Sequence, residues 1–344
     1  MSSNEISDLK IIGDQIALGP ASEADVDLVR RYGGPISHSA LLPTCSLFRV
    51  PDIEGVLGFR VHHGYAVVLG DPLCQESHQE RLISAFLEYT SRKRLSVIFV
   101  VVSRRLVEMT LEKFSSAVQF GDLLIGSPLK DPEAGSRGSH LRTSVRFPQK
   151  MGVTISFYDG DGSVDDALES RIASAVDRWR SSRQGCQLHI GSHHFFRNRR
   201  GCRWFIAEFE GKVIGVLALL RVNHAGCPWL IDLVFSTPDA PPHTNEFLIV
   251  TAFRRLREEG VELLSYGVAP SAALGEMIGF RPFAAFLART FYTLATRLVP
   301  QHGKIRFWKK FGVAGKEPLY LVFQEPRIGI RTFRALLEAF NFSI

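Results

Sequence analysis

Three charged residues occupy patterns that suit a reactive or electrostatic group. Asp232 interrupts an otherwise apolar strand pattern, WLIDLVF (229–235). A carboxylate buried there unpaired would be costly, so a structural salt bridge is the main rival to a catalytic role. Glu246 opens the helical pattern NEFLIVTAFRRLREEG (245–260). An acid at that position gains about 0.3–1 kcal/mol from the helix dipole alone, which is its plain alternative. Lys310 follows Phe307 and Trp308 in FWKKFG. It is either a surface lysine or an electrostatic group beside aromatics that could be core or could stack on an unpaired nucleic-acid end.

The usual signatures of covalent, nucleotide or metal chemistry are missing. There is no GxxxxGK[ST], HExxH, GxSxG or GxGxxG. His193-His194 has no third spaced ligand, and Cys45, Cys74, Cys186, Cys202 and Cys227 form no CxxC pair. Cys45 and Cys74 read as buried structural thiols. Any reaction here would run by positioning and electrostatics in a direct transfer.

Charge is unevenly spread. The net charge is +6, yet residues 281–344 carry eleven Lys/Arg against three Asp/Glu. Residues 137–150, RGSHLRTSVRFPQK, hold Arg137, Arg142, Arg146 and Lys150 with no acid, and 197–203 read RNRRGCR. Such patches attract polyanions, either nucleic-acid phosphates or anionic lipid head groups; solvated faces are the plain alternative.

The elements that must position these residues alternate between the two periods. Helices are predicted over 22–33, with Ser22 and Asp25 as a capping box, and over 76–93, 104–117, 139–151, 165–183, 245–260 and 271–279. Strands are predicted over 65–69, 96–103, 121–126, 153–158, 229–236, 262–267 and 318–323. A hairpin over 202–222 turns at Glu210-Gly211, and the polar stretch 127–139 is the best linker. This is an α/β (α+β) pattern, divided into 1–130 and 131–344. Its later order resembles the acyltransferase fold known as GNAT.

With 344 residues, 45% hydrophobic and 22% charged, the chain is neither disordered nor collagen-like. No apolar run reaches a bilayer span; the nearest, 283–300, is broken by Arg289 and Arg297. The start, MSSNEISDLK, lacks a secretory pattern, and the cysteine usage fits a reducing compartment.

Four segments in order resemble the C-terminal domain of phosphatidylglycerol lysyltransferase and its free-standing relatives (DUF2156). They are GDPL (70–73), FGDLLI with HLRTSVRFPQKMGV (120–153), DLVFSTPDAPPHTNEFLIV (232–250) and FWKKFG…EPLYLVF (307–323). The resemblance implies two tandem GNAT-like domains and no bound cofactor. It also implies transfer of an aminoacyl group from aminoacyl-tRNA to a lipid hydroxyl, of phosphatidylglycerol or a sterol. The protein would then act in the cytoplasm, in peripheral contact with the membrane face. The family's membrane-embedded flippase portion has no counterpart in this sequence, so the resemblance is to a form that does not itself move its product across a bilayer.

Matched position by position, the resemblance implies catalytic roles for Asp232, Glu246 and Lys310. The substrate-binding positions it implies are Arg142, Asp239, Glu317, Tyr320 and Trp308. Glu246 or Asp232 would hold the substrate's α-ammonium or take the hydroxyl proton, and Lys310 would stabilise the oxyanion or grip tRNA phosphates. No metal is implied. Two departures stand out: Pro242-His243 replaces the family's usual Asn-Gly, and Leu319 replaces Arg in EPRYL. The C-terminal segment 329–344 either lies in a membrane interface or packs on the second domain. An acetyl-CoA-dependent GNAT enzyme and a tRNA- or membrane-binding module without catalysis are the alternatives. Against the former, STPDAPPHTNEF lacks the glycines of a pyrophosphate loop.

Overall fold

A computed structural model describes residues 17–19, 21–182, 196, 198–298, 302–325 and 329–339. In the first half, β1 (Ala17–Gly19) leads into α1 (Glu23–Tyr32). A short 3-10 turn (Ser37–Leu41), β2 (Ser46–Arg49), β3 (Gly55–His62), β4 (Tyr65–Leu69) and β5 (Leu73–Cys74) follow. Then come α2 (Glu76–Arg92), β6 (Ser96–Ser103), α3 (Arg104–Thr110) and β7 (Ser116–Gly126). The second half runs α4 (Ser139–Met151), β8 (Thr154–Asp159), α5 (Asp166–Ser181), β9 (Cys202–Phe209), β10 (Lys212–His224), β11 (Cys227–Ser236) and α6 (Thr244–Glu258). It closes with β12 (Leu264–Pro270), β13 (Met277–Ile278), α7 (Pro282–Leu298), α8 (His302–Lys309), β14 (Gly315–Phe323) and α9 (Ile330–Ala339).

Local signals explain most of these. Ser22 caps α1, with its backbone N–H donating to Asp25 Oδ2 at 2.7 Å. The β9–β10 hairpin turns on Glu210 and Gly211, both at positive φ (48° and 74°), which matches the right-handed twist of its strands. In α2, Leu82, Ile83 and Phe86 are fully buried on the face that periodicity assigns inward.

The strands form one continuous sheet in the order β1-β2-β3-β4-β6-β14-β7-β12-β11-β10-β9-β8, with β5 on β3 and β13 on β7. Each half is GNAT-like: antiparallel strands, then a helix, then a parallel strand. In the first half β4 and β6 pair over five residues, Tyr65↔Ser96 to Leu69↔Val100. In the second half β11 and β12 meet in register only at Leu230↔Ser265, so the sheet opens beside β11. Residue 130 lies between β7 and α4, yet β14 pairs with both β6 and β7. The end of the chain therefore returns into the first half's sheet.

Two predicted helices differ. The helix expected over 104–117 stops at Thr110, whose hydroxyl donates back to Leu106 O at 2.7 Å. Residues from Ser116 instead extend β7, drawn out by pairing with β14 about 200 residues later. The helix expected over 271–279 is absent. Gly275 N–H donates to Gln119 O and Gln119 N–H to Glu276 O, both at 2.9 Å, so this segment continues along β7. A side chain at Gly275 would meet Gln119 Oε1 at 2.5 Å.

Residues 329–339 pack on β3 and β4 of the first half, not on the second half as expected from the sequence. Thr332, Ala335 and Ala339 of α9 are buried. Arg60, itself 3% exposed, donates to Ala339 O at 2.8 Å. His62 and His63 reach the two Glu338 carboxylate oxygens at 3.1 and 2.8 Å.

Candidate functional site

The first turn of α6 and the end of α8 meet. Lys310 Nζ lies 2.9 Å from Glu246 Oε1, and His243 Nδ1 lies 3.5 Å from the same oxygen. Glu246 is 7% exposed, while the Lys310 side chain remains 42% exposed. Burial pushes the Glu246 carboxyl up. The Lys310 ammonium, the residue's own backbone N–H and His243 outweigh that, so the net shift is downward. Glu246 sits in the helix's first turn, where the dipole adds to the same effect.

Two devices hold this pair. At the α6 end, Thr237 N–H donates to Ile214 O at 2.8 Å and Thr244 Oγ1 to Pro241 O at 2.7 Å. His243 then takes a left-handed conformation, φ 67° and ψ 13°. The resemblance sets glycine at this position, and histidine is among the non-glycine residues that tolerate that region. The departure at Pro242-His243 therefore keeps the turn and puts an imidazole beside Glu246. At the α8 end, Trp308 stacks on Tyr266 (4.6 Å, 9°) and Tyr266 on Phe253 (6.1 Å, 14°). Tyr266 OH donates to Gly312 O at 2.8 Å. Gly126 lies so close to Tyr266 that a Cβ there would fall 1.9 Å from its hydroxyl.

The other sequence-derived residues have distinct places. Asp232 is exposed, and it is the extra residue of a bulge in which Ala218 faces Leu233 and Leu219 faces Ile231. The bulge turns an acid outward from an apolar strand, so the burial cost expected from WLIDLVF does not arise. Asp239 is exposed, and its carboxyl is held below the usual range, first by the Thr237 hydroxyl and then by its own backbone N–H. Glu317 stands 3.7 Å from His224 Nε2. Tyr320 is 1% exposed and donates to Glu276 Oε2 at 2.8 Å; burial and that bond push its hydroxyl up to about 12. Leu319 is core, 1% exposed.

Two expectations need correction. Trp308 is 3% exposed and stacked on Tyr266, which makes it core and removes it as a platform for an unpaired tRNA end. Arg142 folds back on its own loop, donating to Glu133 O and, at 2.8 Å, to Gly135 O. The basic surface of α4 is instead Arg146 and Lys150, both exposed, beside Phe147, which is 44% exposed and 6.4 Å edge-on from His243. His243, which the resemblance assigns no role, is a third member of the Glu246–Lys310 cluster. Its i,i+3 spacing to Glu246 was the available signal.

In the RNRRGCR patch the three described arginines are spent on ion pairs, and Arg197 lies outside the described residues. Arg199 meets Glu169 at 3.1 Å, Arg200 meets Asp27 at 3.6 Å, and Arg203 meets Glu259 at 2.6 Å. Arg203 also covers Trp229 at 4.4 Å. Cys45, Cys74, Cys202 and Cys227 are buried free thiols, and burial raises the pKa of each. Among the described residues no group of three His, Cys, Asp or Glu could hold a metal ion. His193-His194 and Cys186 lie outside the described residues. Among the described residues no helix is long and apolar enough to cross a membrane.

The GDPL motif has a structural part. Asp71 accepts the Ser103 N–H at 3.0 Å and the Ser103 hydroxyl at 2.6 Å, and Ser103 caps α3.

Comparison with known proteins gives one consistent result. The model of the phosphatidylglycerol lysyltransferase C-terminal family matches residues 26–322. The phosphatidylglycerol lysyltransferase of Bacillus subtilis (strain 168) is 21% identical over 249 residues, 72% of this chain and 29% of the relative. That of Staphylococcus epidermidis (strain RP62A) is 18% identical over 299 residues, 87% of this chain and 35% of the relative. The chain thus spans 29–35% of the length of these curated relatives. The structure of L-PGS from Bacillus licheniformis superposes with a TM-score of 0.77 at 19% identity, covering 97% of this chain and 98% of that one. The C-terminal domain (DUF2156) of a putative lysylphosphatidylglycerol synthetase from Agrobacterium fabrum gives 0.73 at 18%, covering 92% and 95%. These superpositions establish the shared fold. The match over residues 26–322 goes further: the chain belongs to the phosphatidylglycerol lysyltransferase C-terminal domain family.

Proposed function

We propose that this protein transfers an aminoacyl group from aminoacyl-tRNA to a lipid hydroxyl, with phosphatidylglycerol the first acceptor to test and a sterol the second. The observation that carries this reading is the Glu246–Lys310 pair, 2.9 Å apart at a helix N-terminus and open to solvent on the lysine side. The names of the relatives supply the lipid. The exposed Arg146 and Lys150 on α4 supply a phosphate-binding surface near His243.

An aminoacyl ester is already activated, so the reaction needs alignment, a proton acceptor and donors for the oxyanion. The lipid oxygen attacks the ester carbonyl carbon. The carbonyl electrons pass to oxygen and return as the bond to the ribose oxygen breaks. The proton leaving the lipid hydroxyl ends on that ribose oxygen. A carboxyl whose pKa is lowered is a weak base but a good anchor, so Glu246 is assigned to the α-ammonium. The incoming ammonium competes with Lys310 for Glu246 and frees Lys310 to face the oxyanion. Exposed Asp232, at the bulge beside the opening between β11 and β12, is assigned to proton transfer. Neither ATP nor a metal enters this scheme. A lipid acceptor requires peripheral contact with a membrane, here its cytoplasmic face.

The test mixes purified protein with tRNA charged with each radiolabelled amino acid in turn and with liposomes containing phosphatidylglycerol or ergosterol. A labelled lipid that disappears after RNase treatment of the charged tRNA is the expected result. Label appearing only with acetyl-CoA, or on no lipid with any amino acid, would overturn the reading.

A further inference from the structure

Among the described residues, the helix α7 presents a row of exposed side chains. Phe283 is 74% exposed and Phe286 65% exposed, and Thr290 and Thr293 are exposed too. At 100° per residue these four fall within one narrow stripe. The opposite side of α7 is tied down. Ala284, Ala285, Leu287 and Ala288 are half-buried, and Tyr292 OH lies 2.8 Å from Phe120 O and 2.7 Å from Ser271 O. The stripe is therefore presented by a helix fixed to the sheet.

Along the chain, the stretch that carries this stripe has charge of one sign. Residues 277–316 contain eight Lys/Arg and no Asp or Glu. Arg281 precedes the exposed phenylalanines, Arg289 follows them, and both are exposed. Two solvent-facing aromatic rings flanked by arginines, in forty residues without an acid, are the composition of a helix lying in an anionic bilayer interface. The rings would enter the head-group boundary while the arginines stay among the phosphates.

We infer that α7 is the membrane-docking element of this protein, with Phe283 and Phe286 as its inserting side chains and an anionic lipid surface as its partner. The inference deepens the proposed function and rests on it, since docking here brings the protein to its acceptor lipid. The basic stretch that begins at α7 continues through α8 to Lys310, so one segment joins the membrane contact to the site.

The test is flotation of the protein, without tRNA, on vesicles of pure phosphatidylcholine and of phosphatidylcholine with a third phosphatidylglycerol. Wild type should bind the anionic vesicles and lose binding as salt rises. Phe283→Ser/Phe286→Ser should lower the partition roughly 10- to 100-fold. Phe283→Leu/Phe286→Leu should retain most of it, and thermal unfolding of both variants should match wild type. Transfer to a short-chain phosphatidylglycerol below its micelle concentration should be unchanged in the serine variant. Transfer to vesicles should fall with the partition. Equal flotation of wild type and the serine variant would overturn the inference, as would equal binding to both vesicle types. So would a wild-type dimer in size-exclusion chromatography that the serine variant dissolves, because the face would then belong to a second copy. Because flotation involves no tRNA and no chemistry, docking that survives without any transfer would refute the proposed function alone.

Discussion

Lys310 Nζ and Glu246 Oε1 stand 2.9 Å apart, joining positions separated by 64 residues. The carboxylate is buried in the first turn of α6 and the ammonium is half in solvent. A pair of this asymmetry is held from the acid's side and can be opened from the lysine's side.

Glu246→Gln and Lys310→Met should each lower aminoacyl transfer by about 10²–10³-fold, the scale seen when one electrostatic donor or anchor is removed. Filter binding of tRNA should change less than threefold in Glu246→Gln. Turnover within tenfold of wild type in both variants would remove the pair from the site.

The same pair predicts a pH dependence of stability. Glu246 has a folded-state pKa below its unfolded value. Its contribution is therefore present above the unfolded pKa, about 4.3, and is lost as pH falls through the folded value. Lys310→Met should cost about 1–3 kcal/mol near neutrality, because it leaves a buried carboxylate without its cation. Urea unfolding should show that deficit shrinking below about pH 4. A deficit independent of pH would mean that the lysine acts through packing.

Asp71 bridges the ends of β4 and β6 through Ser103. Asp71→Ala should destabilise the protein by about 1–3 kcal/mol by leaving the Ser103 N–H unsatisfied and the capping Ser103 hydroxyl without the acceptor that orients it. Transfer activity below the melting transition should be near wild type. Normal stability with lost transfer would move Asp71 from scaffold to site.

Arg142 and Arg146 sit four residues apart on α4 with different surroundings. Arg146→Ala should weaken tRNA binding and reduce the slope of log K against log salt by about one. Arg142→Ala should instead lower stability, because Arg142 ties residues 133–135 to α4. Equal salt slopes for the two variants would contradict this division.

Trp308→Ala should cost about 3–5 kcal/mol by emptying the stack on Tyr266. Trp308→Phe should retain most of the stability and the tRNA affinity. A selective loss of tRNA binding in Trp308→Phe would restore the stacking role that its burial argues against.

What short-range physics encodes is legible in the residues alone. The apolar period of α2, the Ser22–Asp25 cap of α1, the Glu210-Gly211 turn and the basic stretch ahead of β8 were all legible, because burial faces, caps and turns depend on residues a few positions apart. The order of motifs was likewise legible as a family. Which charges meet is set by the folded chain path. It paired Lys310 with Glu246, spent Arg199, Arg200 and Arg203 on acids, folded Arg142 onto its own loop and enclosed Trp308. It also extended the strand predicted over 121–126 back to Ser116 by bringing β14 between β6 and β7. Those outcomes depend on the path of a chain that closes contacts across tens to hundreds of residues, and no local period carries that information.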